Sequence, residues 1–423
     1  MDQPRIDELL LYCLRVVPDE MAGGRLEALS GSDWDAFIEA ASQYGVAPLI
    51  YHRLRTSHPE VHVPADVMGR LQQAYLANGA RNMGIYHRLG KVLALLRRDN
   101  IPVIVLKGAH LAELVYGNRA LRSMGDVDLL VHTQDLMRVE AILLGISYTP
   151  TDFKRTIEKD NRHFGYMLSK RELYLEVHWT LLPSEYPFDI DINGQWARSR
   201  PAVIAGSEVA VLCPEDLLLY LCLHASCLHR FETGLTGLRQ LCDICQTLQH
   251  YQGGINFGVV QSRSRQWGMG KCVYLTLRLA KELLGAILPD GLLEALKPND
   301  FEEHFIALAR EQVFSTSMEE KQILSLSHSV ARFWGSKRLP DKTAIFLKIL
   351  KVVFPPRECI ARKYPLPSNS IRIYFYYAVH LRDLFRQHGR YVWRLMRGDK
   401  KMQALAQQEN HFATLMDWLD WTP

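Results

Sequence analysis

The spacing of apolar residues changes period at residue 101, and that change restricts the chain to a small set of folds. Up to about residue 98 apolar residues recur every three or four positions, as in Ser32–Arg55 and Val67–Arg98, which is helical spacing. Ser32 stands where a cap for a helix over Trp34–Gln43 is expected, and Gly45 closes that helix. The run IPVIVLKG, Ile101 to Gly108, is instead short, apolar and β-branched, and reads as a buried strand. AHLAELVYG then predicts a short helix, and DVDLLVH a second strand. TQDLMRVEAILLG predicts a second helix, with Thr133 as its cap and Gly145 as its stop. HFGYMLSK and ELYLEVHWTL predict two further strands, with Lys170 and Arg171 at the turn between them. Strands and helices in this order predict an α+β fold with a mixed sheet over residues 99–200.

From Pro214 onward the pattern is helical again. PEDLLLYLCLHASCLHR predicts one strong helix, with Pro214 at its start and Glu215 and Asp216 in its first turn. Leu238–Gln249, Met269–Leu284 and Asp300–Phe314 continue the series. Ser315–Pro340 is less regular, Pro355–Pro367 reads as a linker, and Ile371–Arg397 as a last basic, aromatic helix. The expected division is a helical region over 1–98, a core over 99–200 and a helical region over 201–423.

A formal net charge of +4 on 423 residues is no concentrated basic surface, so composition by itself does not indicate a nucleic-acid partner. The longest greasy windows, Leu217–Leu223 and Ile345–Phe354, fall short of the roughly 20 residues that cross a bilayer. Asp2, Asp7 and Glu8 interrupt the N-terminal segment, so no secretory signal is expected and a cytoplasmic location is. The eight cysteines read as reduced, mostly buried thiols.

The chemistry concentrates in VLKGAHLAELVYGNRALRSMGDVDLLV. Alternation along a strand puts Asp126 and Asp128 on one face and Val127, Leu129 and Val131 on the other. Two carboxylates one pleat apart repel unless a cation lies between them, and hard divalent ions favour oxygen ligands. The same alternation puts Glu176 and His178 on one face of the later strand. If that strand pairs beside Asp126–Asp128, Glu176 reaches the same metals, and three carboxylates suit two-metal nucleotidyl transfer. Lys107 and Gly108 fall where a strand gives way to a helix, a place suited to phosphate. Arg122 offers a second cation; both cations could serve the phosphates, pair with the acids, or do both.

In combination, Leu106-Lys107-Gly108, Tyr116, Arg122 through Val131 and Glu176-Val177-His178-Trp179 resemble the uncharacterised bacterial nucleotidyltransferase family of the DNA polymerase β-like superfamily. The likeness extends through Asp33–Leu54 and through Pro214–His224 with Leu241-Cys242-Asp243, covering most of residues 30–290. It implies a nucleotidyltransferase fold, Mg2+ (or Mn2+) held by Asp126, Asp128 and Glu176, and an NTP, ATP foremost, held by Lys107, Gly108 and Arg122 with His178 alongside. The nucleotide passes to an acceptor hydroxyl on a protein, an RNA 3′ end or a small molecule. The alternative is a non-catalytic nucleotide- or partner-binding module. The likeness treats His224 and Asp243 as recurring features rather than Cys222, Cys227, Cys242 and Cys245, whose helical setting argues against a zinc knuckle. Asp243 reads either as a brace between helices and core or as part of the nucleotide cleft. The arginines and aromatics of Ile371–Arg397 suit nucleic acid, but the favoured reading is an amphipathic helix with its aromatics in a core.

Overall fold

Ile104–Val105 forms a short strand, β1, as the run of β-branched residues at 101–106 predicts. The structure, a computed structural model, describes residues 3–16, 26–57, 61–151, 162–168, 173–182, 186–228 and 237–314, with a discontinuous set between 350 and 419. Six more strands follow: β2 (Val127–Leu130), β3 (Tyr148–Pro150), β4 (His163–Leu168), β5 (Tyr174–His178), β6 (Arg200–Ile204) and β7 (Ser207–Val211). They make a seven-stranded sheet in the order β3-β4-β5-β2-β1-β7-β6. β2 runs parallel to β5 and β1 parallel to β7, while the remaining neighbours are antiparallel, so the sheet is mixed. This is the α+β architecture that the change of period predicts. The sheet runs on past residue 200 through the β6–β7 hairpin, so a boundary at 200 cuts into it.

One face of the sheet is apolar and the other carries the chemistry. Val127, Leu129 and Val131 of the β2 segment and Leu175 and Val177 of β5 lie in the core. They pack with Leu89, Val92, Leu93 and Leu96 of the 34-residue helix Ala65–Arg98, and with Leu136, Val139 and Leu143 of the helix Leu136–Gly145. Fully burying each such side chain stabilises by about 1.5–3 kcal/mol. The alternate residues Asp128, Glu176 and His178 therefore face the other way.

Helix ends differ from expectation in instructive ways. The helix Gly31–Gln43 is capped by Ser30, not Ser32, through a capping box with Asp33. From Ser32 the reciprocal acid would be Asp35, but Asp35 is paired with Arg70 instead. Gly45 does close the helix region, with φ +68°. Thr133 is absorbed into a 3-10 turn, Thr133–Asp135, and caps nothing. Gly145 is the last helical residue of Leu136–Gly145, and Ser147 takes the left-handed conformation (φ 70°) instead. Lys107–His110 passes directly into a π-helical turn, Leu111–Val115, and Pro214–Leu223 into another, His224–Leu228. The turn expected at Lys170 and Arg171, the irregular Ser315–Pro340 and most of the Pro355–Pro367 linker lie outside the described residues.

The chain divides into two compact units, residues 1–306 with 312–314 and 423, and residues 307–311 with 315–422. The sheet and its helices belong to the first. In the second, the helix Ile373–Met396 departs from the expectation that its aromatics lie in a core. Ile373 and His380 are buried, but Tyr374, Phe375, Phe385 and Trp393 are exposed rather than in a core. No described helix is long and apolar enough to cross a membrane.

Candidate functional site

The parallel register of β2 and β5 sets Asp128 directly beside Glu176. Asp126 sits just before β2, where alternation returns it to the same face. Oxygen atoms of Asp126, Asp128 and Glu176 all lie within 4.8 Å of one another. Like charges about 4 Å apart repel by about 4 kcal/mol at an effective dielectric of 20, so the cluster requires cations. The protein supplies some of them. Lys107 Nζ lies 3.1 Å from Asp128 Oδ1, and His178 Nε2 lies 3.1 Å from the same oxygen and 3.2 Å from Glu176 Oε2. His178 Nε2–H is thus shared between the two carboxylates. His163, opposite His178 across the β4–β5 ladder, approaches the other Glu176 oxygen at 3.7 Å.

These contacts shift the acids unequally. Burial would raise the Asp128 carboxyl, but the Lys107 ammonium and the His178 hydrogen bond outweigh it and hold it well below the usual range. Burial likewise opposes ionisation of Glu176, and the His178 hydrogen bond reverses that. Asp126 is raised, by burial first and then by Asp128. Lys107 is buried, which disfavours its charge, but Asp128 more than compensates and raises it.

The cluster fits a hard divalent cation. Asp128 Oδ2 is buried with no hydrogen-bond partner among the described residues, which leave one lone-pair face of a fully buried carboxylate unsatisfied. The donor set of three carboxylates matches Mg2+ or Mn2+. His163, Glu176 and His178 form a second group of the same closeness that shares Glu176.

A cavity of about 320 Å3 opens beside these acids, with Lys107, Gly108, Arg122, Asp126, His224 and Arg239 in its lining. Lys107 Nζ lies 2.9 Å from His224 Nε2, and His224 Nδ1 faces the Gln240 side-chain amide at 3.1 Å. An ammonium only donates, so His224 Nε2 accepts. Gly108 lies against Arg122 and Met124: a Cβ there would make ordinary contacts, 3.4 Å from Arg122 Nη1 and 3.5 Å from the Met124 sulfur.

Arg122 is held by a residue far along the chain. Its Nε and Nη2 donate to the two oxygens of Asp243, each at 2.8 Å, and the pair is buried. Tyr116 donates to Asp243 Oδ1 at 2.9 Å. Asn78 and Asn82, on the long helix, donate to the carbonyls of Ala120 and Arg122, both at 2.8 Å. The loop that delivers Asp126 is therefore pinned from two sides, and of the two readings of Asp243 the contacts favour the brace. Arg122 stands at the cavity wall with two of its nitrogens committed to that brace.

The structure thus brings Asp126, Asp128, Glu176, His178, Lys107, Gly108 and Arg122 into one place. Sequence reasoning missed His163, Gln240 and Arg239. His163 carried a signal, because alternation in HFGYML puts it on the face of Gly165, which pairs with Glu176. The other two lie on the helix Gly237–His250, where nothing local distinguishes them.

A mixed sheet with clustered carboxylates on adjacent central strands, next to a cation-lined cavity, defines a nucleotidyltransferase-type protein. The model of the family described as uncharacterised nucleotidyltransferase matches residues 30–285, and the chain belongs to that family. No curated protein and no solved structure matches the chain.

Proposed function

We propose that the protein transfers a nucleoside monophosphate from an NTP to an acceptor hydroxyl, releasing pyrophosphate. The observation that carries this reading is the gathering of Asp126, Asp128 and Glu176 oxygens within 4.8 Å, beside a cavity lined by cations. In the reaction the hydroxyl oxygen bonds to the α-phosphorus. The bond from that phosphorus to the bridging oxygen breaks, and pyrophosphate leaves with the electron pair. Divalent cations bound by the three carboxylates would supply Lewis-acid polarisation of the phosphate and charge neutralisation of the leaving group.

The chain's own residues hold and orient. Lys107 uses two of its three donors on Asp128 and His224, leaving the third for a phosphate oxygen. His178, wedged between Asp128 and Glu176, fixes the rotamers of both carboxylates. Arg122 and Asp243 keep the Asp126 loop in place so that the acids converge without rearrangement. The acceptor's proton passes to a carboxylate of the cluster.

The test is incubation of purified protein with each α-32P-labelled NTP and Mg2+, with and without host lysate, beside Asp126→Asn and Asp128→Asn. Label transfer should fall by on the order of 10³-fold in either variant, the scale of removing a group that acts on the transition state directly. Transfer that survives both substitutions sinks the site. The size and the nuclease or protease sensitivity of the product identify the acceptor.

A further inference from the structure

Three cationic side chains line the cavity, and two have their charge matched by protein. Lys107 is paired with Asp128, and Arg122 bidentately with Asp243. Arg239 differs. Among the described residues no carboxylate pairs with it, and its hydrogen bond is from Nη1 to the Ser123 carbonyl at 3.2 Å. Its Nε is buried and has no hydrogen-bond partner among the described residues. Burial and the neighbouring Arg122 charge act against its ionised form, and the attraction of Asp243 and Asp126 only partly offsets them, so its pKa is lowered. A guanidinium kept in such a place costs stability, and a protein retains such a cost where an anion arrives to offset it.

The surroundings leave room for the guanidinium. Gly45, in the left-handed conformation (φ +68°), lies against it, and a Cβ there would stand 3.4 Å from Arg239 Nη1. The Gly45 carbonyl accepts from Ser123 Oγ at 3.2 Å, so the turn and the Asp126 loop together frame the side chain. The carboxylate end of the cavity must hold the α-phosphate, where bonds change. The wall carrying the unmatched fork is left for the rest of the triphosphate, and a planar fork suits phosphate oxygens bidentately.

We propose that Arg239 receives the β- and γ-phosphate oxygens of the NTP, the part that departs as pyrophosphate. This assignment rests on the nucleotidyltransferase reading and names a residue outside its carboxylate cluster. An ordinary structural arginine and a ligand-binding one make opposite predictions for stability. Removing a structural arginine weakens the fold; removing this one relieves an unpaired charge.

The experiment compares wild type, Arg239→Gln and Arg239→Lys by calorimetric titration with inorganic tripolyphosphate, an NTP and the matching NMP in Mg2+ buffer. Urea unfolding and label transfer are measured on the same samples. Arg239→Gln should weaken tripolyphosphate and NTP binding by on the order of 10- to 100-fold, the scale of a charge-assisted hydrogen bond or two. NMP affinity should change less than about threefold, because that ligand lacks the contacted oxygens. The urea midpoint should hold or rise. Arg239→Lys, which keeps charge and stem, should recover part of the tripolyphosphate affinity. Unchanged tripolyphosphate affinity in Arg239→Gln, equal losses for NMP and NTP, or a fall in urea midpoint that accounts for the loss overturns the assignment. Wild type that binds no nucleotide and transfers no label overturns the nucleotidyltransferase reading and this assignment with it. Wild type and Arg239→Gln that both bind and transfer equally overturn only the assignment.

Discussion

Asp128 has no exposed surface, so its removal acts on the cation beside it as well as on the chemistry. Asp128→Ala leaves the buried Lys107 ammonium without its carboxylate and should cost about 3–5 kcal/mol in urea unfolding. Asp128→Asn keeps an acceptor of the same shape and should cost less, and Lys107→Met added to Asp128→Ala should recover most of the loss. An Asp128→Ala protein as stable as wild type, with no further gain on adding Lys107→Met, would count against the pair. The asparagine variant is accordingly the better probe of catalysis. At this scale much was legible beforehand. Alternation along two short strands places Asp126, Asp128, Glu176 and His178 on one face, because side-chain direction in a strand is a local property. The partners were not legible. Arg122 meets Asp243 from 121 positions away, and Lys107 meets His224 from 117. Nothing in the local sequence ties those positions together, and the same holds for Arg239.

The elements follow the period of their apolar residues closely, and their ends follow it less well. The helix Ala65–Arg98 contains four glycines, and two of them, Gly69 and Gly90, look alike in sequence and differ in space. Gly69 has nothing within 4 Å of a built Cβ, whereas at Gly90 a Cβ would stand 2.7 Å from the Ala205 carbonyl oxygen. Ala205 itself is in the left-handed conformation (φ 52°) at the β6–β7 turn, and Gly206 follows with φ 77°. Gly69→Ala should therefore raise stability by about 1 kcal/mol through helix propensity. Gly90→Ala should lower it by about 1–3 kcal/mol, because backbone must give way. Thermal melts of the pair decide the matter, and equal stabilisation by both would mean that the helix does not approach the hairpin so closely. That hairpin is one of the elements that sequence reasoning missed, with the strand Tyr148–Pro150 and the helices Ile192–Arg198 and Phe257–Gln266. AVIAGSEVAV alternates and turns through Ala-Gly, a two-residue turn signal obscured by the absence of a bulky or aromatic side chain. The two π-helical turns were unreadable for a different reason. They are single-turn departures from a pattern that otherwise stays helical, and they lie beside Tyr116 and His224, which reach long-range partners.

For the unit built on the sheet, stability should depend on a histidine the site does not use. His110 is fully buried, and neither ring nitrogen has a hydrogen-bond partner among the described residues. Burial, and then the His250 charge, lowers its pKa from 6.5 to about 4. Between those values the unfolded chain binds a proton that the folded chain refuses. Stability present above pH 6.5 is therefore lost as pH falls toward 4, by on the order of 3 kcal/mol. His110→Leu should remove that contribution, so the gap in urea midpoint between pH 7 and pH 4.5 narrows; an unchanged gap counts against a buried neutral His110. Such a property belongs to the assembled unit, since the sequence marks His110 only as one residue of a short helix. The sequence by itself determined most of the helices, the strands β1, β2, β4 and β5, which face of β2 and β5 is apolar, and that three carboxylates stand on the other face. Those features depend on neighbours two to four positions away. Only the tertiary structure decided that β2 and β5 pair in parallel with Asp128 beside Glu176, that Asp243 braces Arg122, and that Arg239 stands unmatched in the cavity. Those depend on long-range packing, where the energy of a contact is shared by residues that local spacing does not connect.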